Sequence, residues 1–270
     1  MKIGVISDIH VDINYKENDT IEDALIKVIQ DMSIDVMIIA GDISNDYTKS
    51  IQVIDYIESK TGCKCLFVPG NHDLWNIHHE EIAHTDDIYN TFQAHDSCLC
   101  GKPYPLNEDY VVIGDIGWYD YSFGSDNYDH TVYEVGYHQE RQWQDKNYIH
   151  WHMSDQEKTL ELYDKLAKQI AQHQDKNIIF VTHMVTDSNF TVPLPNDTWE
   201  YFNAYLGSEQ YGHLFKENVK HIIMGHVHYR FGLLKHNQEY SCRCLNYRTQ
   251  WENEHETLKN IQDTMKIITI

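Results

Sequence analysis

Cys65-Leu66-Phe67-Val68-Pro69-Gly70-Asn71-His72-Asp73 is a short apolar run cut off by Pro-Gly and followed at once by an amide, an imidazole and a carboxylate. It reads as a strand over residues 65–68 that ends in a loop. Upstream the same arrangement occurs twice. The continuous apolar run 36–40, as expected of a buried strand, stops at Gly41-Asp42. The β-branched run 2–7 stops at Asp8-Ile9-His10. Helical spacing fills the gaps. Asp19 and Thr20 are start signals for Ile21, Ala24, Leu25, Val28, Ile29 and Met32, and Ile51, Ile54 and Ile57 mark a second helix. A β-α-β-α-β order implies neighbouring parallel strands joined by helical crossovers.

Downstream, residues 111–113 read as another strand. Ser154-Asp155-Gln156-Glu157 is a capping box that opens a helix with the stripe Leu160, Tyr163, Leu166, Ala167 and Ile170. Strand 178–181 runs into Thr182-His183, and strand 221–224 into Gly225-His226-Val227-His228. Short β-like segments follow to the end, including 266–270. With no internal repeat and no low-complexity linker, the expectation is one domain over residues 1–270. Residues 118–152 form an aromatic-rich insertion with neither helical nor strand period. Long loops of this kind are usually functional or disordered, and so many aromatics argue against disorder. We therefore expect a wall or lid, with Trp118, Tyr119 and Tyr121 binding substrate. The bland alternative is a satellite core beneath a long loop.

Composition narrows the class. The 270 residues carry 42 acidic and 21 basic side chains, a formal charge of -21. Phosphate backbones repel such a surface, so long nucleic acid is not an expected partner, although bound cations reverse the potential locally. No apolar run approaches the ~20 residues of a membrane span, and the early sequence lacks the pattern of a signal peptide. The expected location is the cytoplasm. Six cysteines form the pairs Cys63/Cys65, Cys98/Cys100 and Cys242/Cys244. They read as reduced thiols, because structural zinc sites usually place at least two residues between paired cysteines.

Five motifs thus follow strands: Asp8-Ile9-His10, Gly41-Asp42, Gly70-Asn71-His72-Asp73, Thr182-His183 and Gly225-His226-Val227-His228. Ligands of an open α/β sheet bind beyond the carboxyl ends of its strands, so these ends gather imidazoles and carboxylates from distant parts of the chain. Imidazole suits zinc or iron, carboxylate suits manganese and other hard ions, and one carboxylate can bridge two ions. His78, His79, His84, His95, His173, His213, His221, His236 and His255 stand in polar contexts and read as surface residues.

The ordered set of motifs resembles the calcineurin-like metallophosphoesterase superfamily over residues 1–229. The resemblance implies an α/β fold, a four-layer α/β/β/α sandwich with two mixed β-sheets and a dinuclear metal site at the strand ends. It implies that Asp8, His10 and His228 hold one ion, that Asn71, His183 and His226 hold the other, and that Asp42 bridges them. The ions would be two divalent or trivalent metals (Mn, Fe or Zn). His72 would be the catalytic acid–base residue, and Asp73 a supporting partner rather than a ligand. The implied activity is hydrolysis of a phosphoester, monoester or small diester, by a hydroxide bridging the ions. The partner is then a small-molecule phosphoester substrate. Rival readings are a cyclic-nucleotide phosphodiesterase or nuclease, and a non-catalytic metal-binding scaffold. Scaffolds lack ligands or the histidine, whereas here every position is filled. One departure stands out. Where many protein phosphatases continue GDxxDRG, this chain has Gly41-Asp42-Ile43-Ser44-Asn45-Asp46-Tyr47. An amide replaces the carboxylate expected to support the histidine, the phosphate-binding Arg is missing, and Asp46 is the candidate to compensate. The stretches 117–123 and 199–208 are also similar to a subgroup of bacterial phosphoesterases from Gram-positive species, some encoded near accessory secretion genes.

Overall fold

The computed structural model describes residues 1–75, 77–79 and 81–270. Its elements in order are β1 (Lys2–Ile6), α1 (Ile21–Met32), β2 (Val36–Ala40), α2 (Tyr47–Thr61), β3 (Lys64–Val68), α3 (Thr85–Ala94), β4 (Tyr104–Pro105) and β5 (Tyr110–Gly114). The insertion then forms α4 (His130–Val135), the hairpin β6 (Tyr137–His138) and β7 (Arg141–Gln142), and α5 (Asp145–Tyr148). After it come α6 (Asp155–Gln172), β8 (Asn177–Val181), α7 (Trp199–Phe202), β9 (Val219–Met224), β10 (Arg230–Lys235), β11 (Gln238–Arg243), α8 (Thr257–Thr264) and β12 (Lys266–Thr269).

Two mixed sheets result. One has the order β12-β1-β2-β3, the other β10-β11-β9-β8-β5-β4. In the first, β1, β2 and β3 are parallel and β12 is antiparallel. Side-chain alternation along the strands sorts the core into layers. Ile3, Val5, Ile38 and Leu66 meet Val112, Ile179, Val181 and Ile223 between the sheets. The opposite faces carry Ile6, Ile39 and Phe67 against Leu25, Val28 and Ile54 of the first helices, and Ile113, Phe180 and Ile222 against Leu166 and Ile170 of α6. This is the α/β/β/α stack that the resemblance implies.

At the carboxyl end of β1 the sheets are stitched together. Ser7 N–H donates to Arg243 O and Leu245 N–H donates to Ser7 O, both at 2.9 Å. Asp8 is therefore fixed at the junction of both sheets. Thr20 caps α1 as its sequence signal indicates, and the Ser154–Glu157 capping box opens α6.

Three expectations need correction. The stripe of α6 is rotated, because Leu160 is 52% exposed while Thr159 and Leu162 are buried. Helix α8 in the tail went unread. Most importantly, Trp118, Tyr119 and Tyr121 belong to the core, at 0%, 1% and 3% exposure. Trp118 stacks on Tyr119, and Tyr121 stacks on Tyr133. Large rings gain most from full burial, and the indole N–H of Trp118 donates to Asp155 at 2.7 Å.

Candidate metal centre

The site lies on loops at the carboxyl ends of β1, β2, β3, β8 and β9. Five of its residues have left-handed backbones: Asp8 (φ 51°), His10 (40°), Asp42 (54°), His226 (72°) and His228 (53°). Such conformations are costly for side chains with a Cβ and persist only where the surroundings enforce them. Here the loops lace together. Asp8 N–H donates to Gly41 O, His10 N–H to Asp42 O, and His226 N–H to the Asp8 carboxylate. Gly41, at φ 85°, has no room for a side chain, since a Cβ would stand 2.4 Å from His183 Nδ1. At Gly70 a Cβ would fall 2.1 Å from Asp42 Oδ1.

Two clusters of donors form, Asp8, His10, Asp42 and His228 in one, Asp42, His183 and His226 in the other. Asp42 is common to both and offers one oxygen to each. Its Oδ1 lies 3.3 Å from His183 Nε2, and its Oδ2 lies 3.7 Å from His10 Nε2. Asn71 joins the second cluster, with Oδ1 at 3.1 Å from both His183 Nε2 and His226 Nδ1. All seven expected ligands are thus brought together.

The donors fit cations. His10 Nε2 and His228 Nε2 face each other at 3.2 Å, a spacing at which two lone pairs repel unless a proton or cation lies between them. His183 Nδ1–H donates to Ala40 O at 2.9 Å, leaving Nε2 as the free donor atom. Among the described residues, His10 Nδ1 and His226 Nε2 are buried without a hydrogen-bond partner. Burial opposes a charged His183, yet the Asp42 and Asp8 carboxylates and the bond to Ala40 O together outweigh it and lift that imidazole to about 9. Burial likewise opposes the charge on Asp42, but His183 and His72 hold it well below the usual carboxylate range. The centre draws positive charge, and hard or borderline metals suit its oxygens and imidazoles.

His72 stands beside the shared carboxylate, with Nε2 at 3.9 Å from Asp42 Oδ2. Its backbone N–H donates to Asp42 Oδ1 at 3.0 Å. The support of the ring comes from Asn45, not from Asp46. Nδ1–H donates to Asn45 Oδ1 at 2.6 Å, so Nε2 faces the cleft. Asp46 instead caps α2 and pairs with His79. Asp73 is a brace, accepting from Gly70 N–H, Ile43 N–H, Ser44 N–H and the Ser50 hydroxyl.

Sequence reasoning missed Asp145, which is 1% exposed on α5. Its Oδ1 accepts from Asn71 Nδ2 at 2.8 Å and from Trp75 Nε1 at 2.7 Å, and its Oδ2 from Trp143 Nε1 at 2.9 Å. Because it takes the amide protons of Asn71, it turns the amide oxygen toward the histidines. Its signal was faint, an acidic residue lodged among aromatics. A cleft of about 450 Å³ opens above the centre, walled by Trp75, Trp143, Trp199 and Tyr247. The insertion does contribute to this wall, through residues 142–145 rather than through Trp118, Tyr119 and Tyr121. None of the nine histidines read as surface residues joins either cluster.

Two sheets sheathed in helices, with one carboxylate shared between two sets of histidines at the strand ends, define an α/β sandwich able to hold a pair of metal ions. The chain belongs to the calcineurin-like phosphoesterase family, whose model matches residues 1–230. Among solved structures its fold is shared with phosphopantetheinyl hydrolase from Mycobacterium tuberculosis, at a TM-score of 0.72, 17% identity and 94% coverage of each chain. It is also shared with a dimetal phosphatase from Danio rerio, at a TM-score of 0.53 and 14% identity over 90% of this chain and 86% of that one. No curated protein sequence matches the chain. No helix among the described residues is long and apolar enough to cross a membrane.

Proposed function

We propose that this chain hydrolyses a small phosphoester, monoester or diester, at the centre built around Asp42. Asp8, His10, Asp42 and His228 would hold one ion, and Asp42, Asn71, His183 and His226 the other. When bound, a pair of manganese, iron or zinc ions lowers the pKa of water and neutralises charge on phosphoryl oxygens. The observation that carries the reading is the shared position of Asp42, one oxygen toward each cluster, with His72 Nε2 beside it at the foot of the cleft.

The protein's own groups then act as follows. Asn45 fixes the tautomer of His72, so that a proton carried on Nε2 is directed at the leaving oxygen. Without it that oxygen would depart as a poorly stabilised alkoxide. Asp73 ties the β2 and β3 loops together and so sets the distance between His72 and Asp42. Asp145 turns the Asn71 oxygen inward, and the aromatic wall excludes water from one side of the cleft. The net charge of -21 disfavours long nucleic acids, and six free, buried thiols suit the reducing cytoplasm.

The test is purified protein loaded with manganese, iron or zinc and offered phosphomonoesters, diesters, cyclic nucleotides and a phosphopantetheinyl ester. The reading expects metal-dependent release of an alcohol from at least one of them. Tight metal binding with no turnover on any ester would favour the scaffold instead.

A further inference from the structure

The cleft contains no lysine or arginine among its described lining residues. Arg141, next to the lining residue Gln142 on β7, is exposed and stands outside the lining, and two other neighbouring cations are bonded elsewhere. Arg248, next to Tyr247, donates to Asn14 O and to Asp19. Lys146, next to Asp145, bonds Asp155 and the Tyr121 hydroxyl. What the wall offers instead is flat and uncharged, three tryptophans with the amides of Gln142 and Gln144.

From this we infer that the substrate is a phosphodiester whose retained arm is uncharged and planar or apolar, and that phosphomonoesters are disfavoured. This rests on the phosphoesterase reading above. Near pH 7 a monoester is largely a dianion, since its second pKa is about 6. Two of its oxygens can meet a metal pair, but the remaining charged oxygen needs a cationic donor. Here none is supplied, and the strongly acidic chain adds repulsion. In a diester that position is an ester oxygen and carries no charge.

The wall also assigns the two arms. Trp75 stacks on His72, with ring centroids 3.7 Å apart, and so borders the leaving arm. Trp143 faces His226 at 5.8 Å and stacks on Tyr205, and so borders the retained arm. In the reaction water's oxygen bonds to phosphorus and the bond to the leaving arm breaks. The leaving oxygen takes a proton from His72 Nε2, which water's own proton replaces. The products are an alcohol and the phosphomonoester of the retained arm.

Three substrates with one leaving group test this. They are 4-nitrophenyl phenyl phosphate, methyl 4-nitrophenyl phosphate and 4-nitrophenyl phosphate, with manganese-loaded protein at pH 7.5. The phenyl diester should exceed the monoester in kcat/KM by roughly 10–100-fold, the effect of one missing charged hydrogen bond, with the methyl diester between them. Binding followed by tryptophan fluorescence should rank diphenyl phosphate above phenyl phosphate. Trp143→Leu should bring the phenyl-to-methyl ratio toward one. Gln144→Arg, at an exposed position, should raise the monoester relative to the diesters. A wild-type monoester rate equal to or above the phenyl diester would overturn the inference while leaving the phosphoesterase reading intact. Hydrolysis of none of the three, together with no turnover on the wider panel of esters, would overturn both.

Discussion

At the scale of single residues, the centre depends on backbone that few side chains tolerate. Asp8, His10, Asp42, His226 and His228 are all left-handed, which turns successive residues of a motif toward different partners. Residue identity and order made the seven residues that gather at the centre legible in the sequence. The conformations that let them converge were not, because they are enforced by contacts between distant loops. His72 was also legible, but its support was not. Spacing pointed to Asp46, whereas the helix-capping demand of α2 claims that carboxylate and leaves Asn45 to hold the ring. His72→Ala should keep its metals and lose about 10²–10⁴-fold in turnover on esters with poor leaving groups. The loss should shrink with 4-nitrophenolate, and equal losses on both would exclude a general-acid role. Asp145→Asn puts an NH₂ group in place of one acceptor oxygen, so Asn71 or one of the tryptophans loses its partner. Metal affinity should fall by about 10–100-fold, as for other groups that orient ligands. Titration with manganese followed by tryptophan fluorescence measures this directly. Unchanged affinity would reduce Asp145 to a packing role.

At the scale of elements, strands and capped helices were readable because each is set by local chemistry. Continuous apolar runs gave β2, β3 and β8, and Thr20 and Ser154 gave the starts of α1 and α6. The inward face of α6 was not readable from hydropathy. Lys158 is buried there, with its ammonium 4.2 Å from the centre of the Trp151 ring and bonded to Asp86, so a charged residue takes a position that a hydrophobic stripe would claim. The insertion failed for a similar reason. Its aromatic content announced burial or binding, and only the tertiary arrangement divides Trp118, Tyr119 and Tyr121 in the core from Trp143 on the cleft. Trp118→Ala should cost about 3–5 kcal/mol of stability and leave relative rates across substrates unchanged. Melting temperature and a two-substrate rate ratio check both parts. A changed ratio with little loss of stability would restore the lid.

At the scale of the whole molecule, the layers are joined by backbone at Ser7 and by charge between α3 and α6. Burial pushes Asp86 up, but its bonds to Lys158 and to His152 N–H prevail and hold it below its ordinary value. Its stabilisation is therefore complete above the unfolded carboxylate pKa of about 3.9 and is lost as pH falls through the lower folded value. Asp86→Asn should lower stability at pH 7 by roughly 1–3 kcal/mol, less than for a fully buried pair, because Glu161 stays 3.7 Å from Lys158. Urea unfolding should show that gap closing toward pH 3, and a gap constant with pH would rule out the charge mechanism. The larger claim is that two sheets bring five strand ends together around one shared carboxylate. Metal content of purified, metal-loaded variants tests it most directly. Wild type should hold two equivalents, His10→Ala should lose chiefly one, and Asp42→Asn should be depleted of both. Two full equivalents retained by Asp42→Asn would contradict the shared centre.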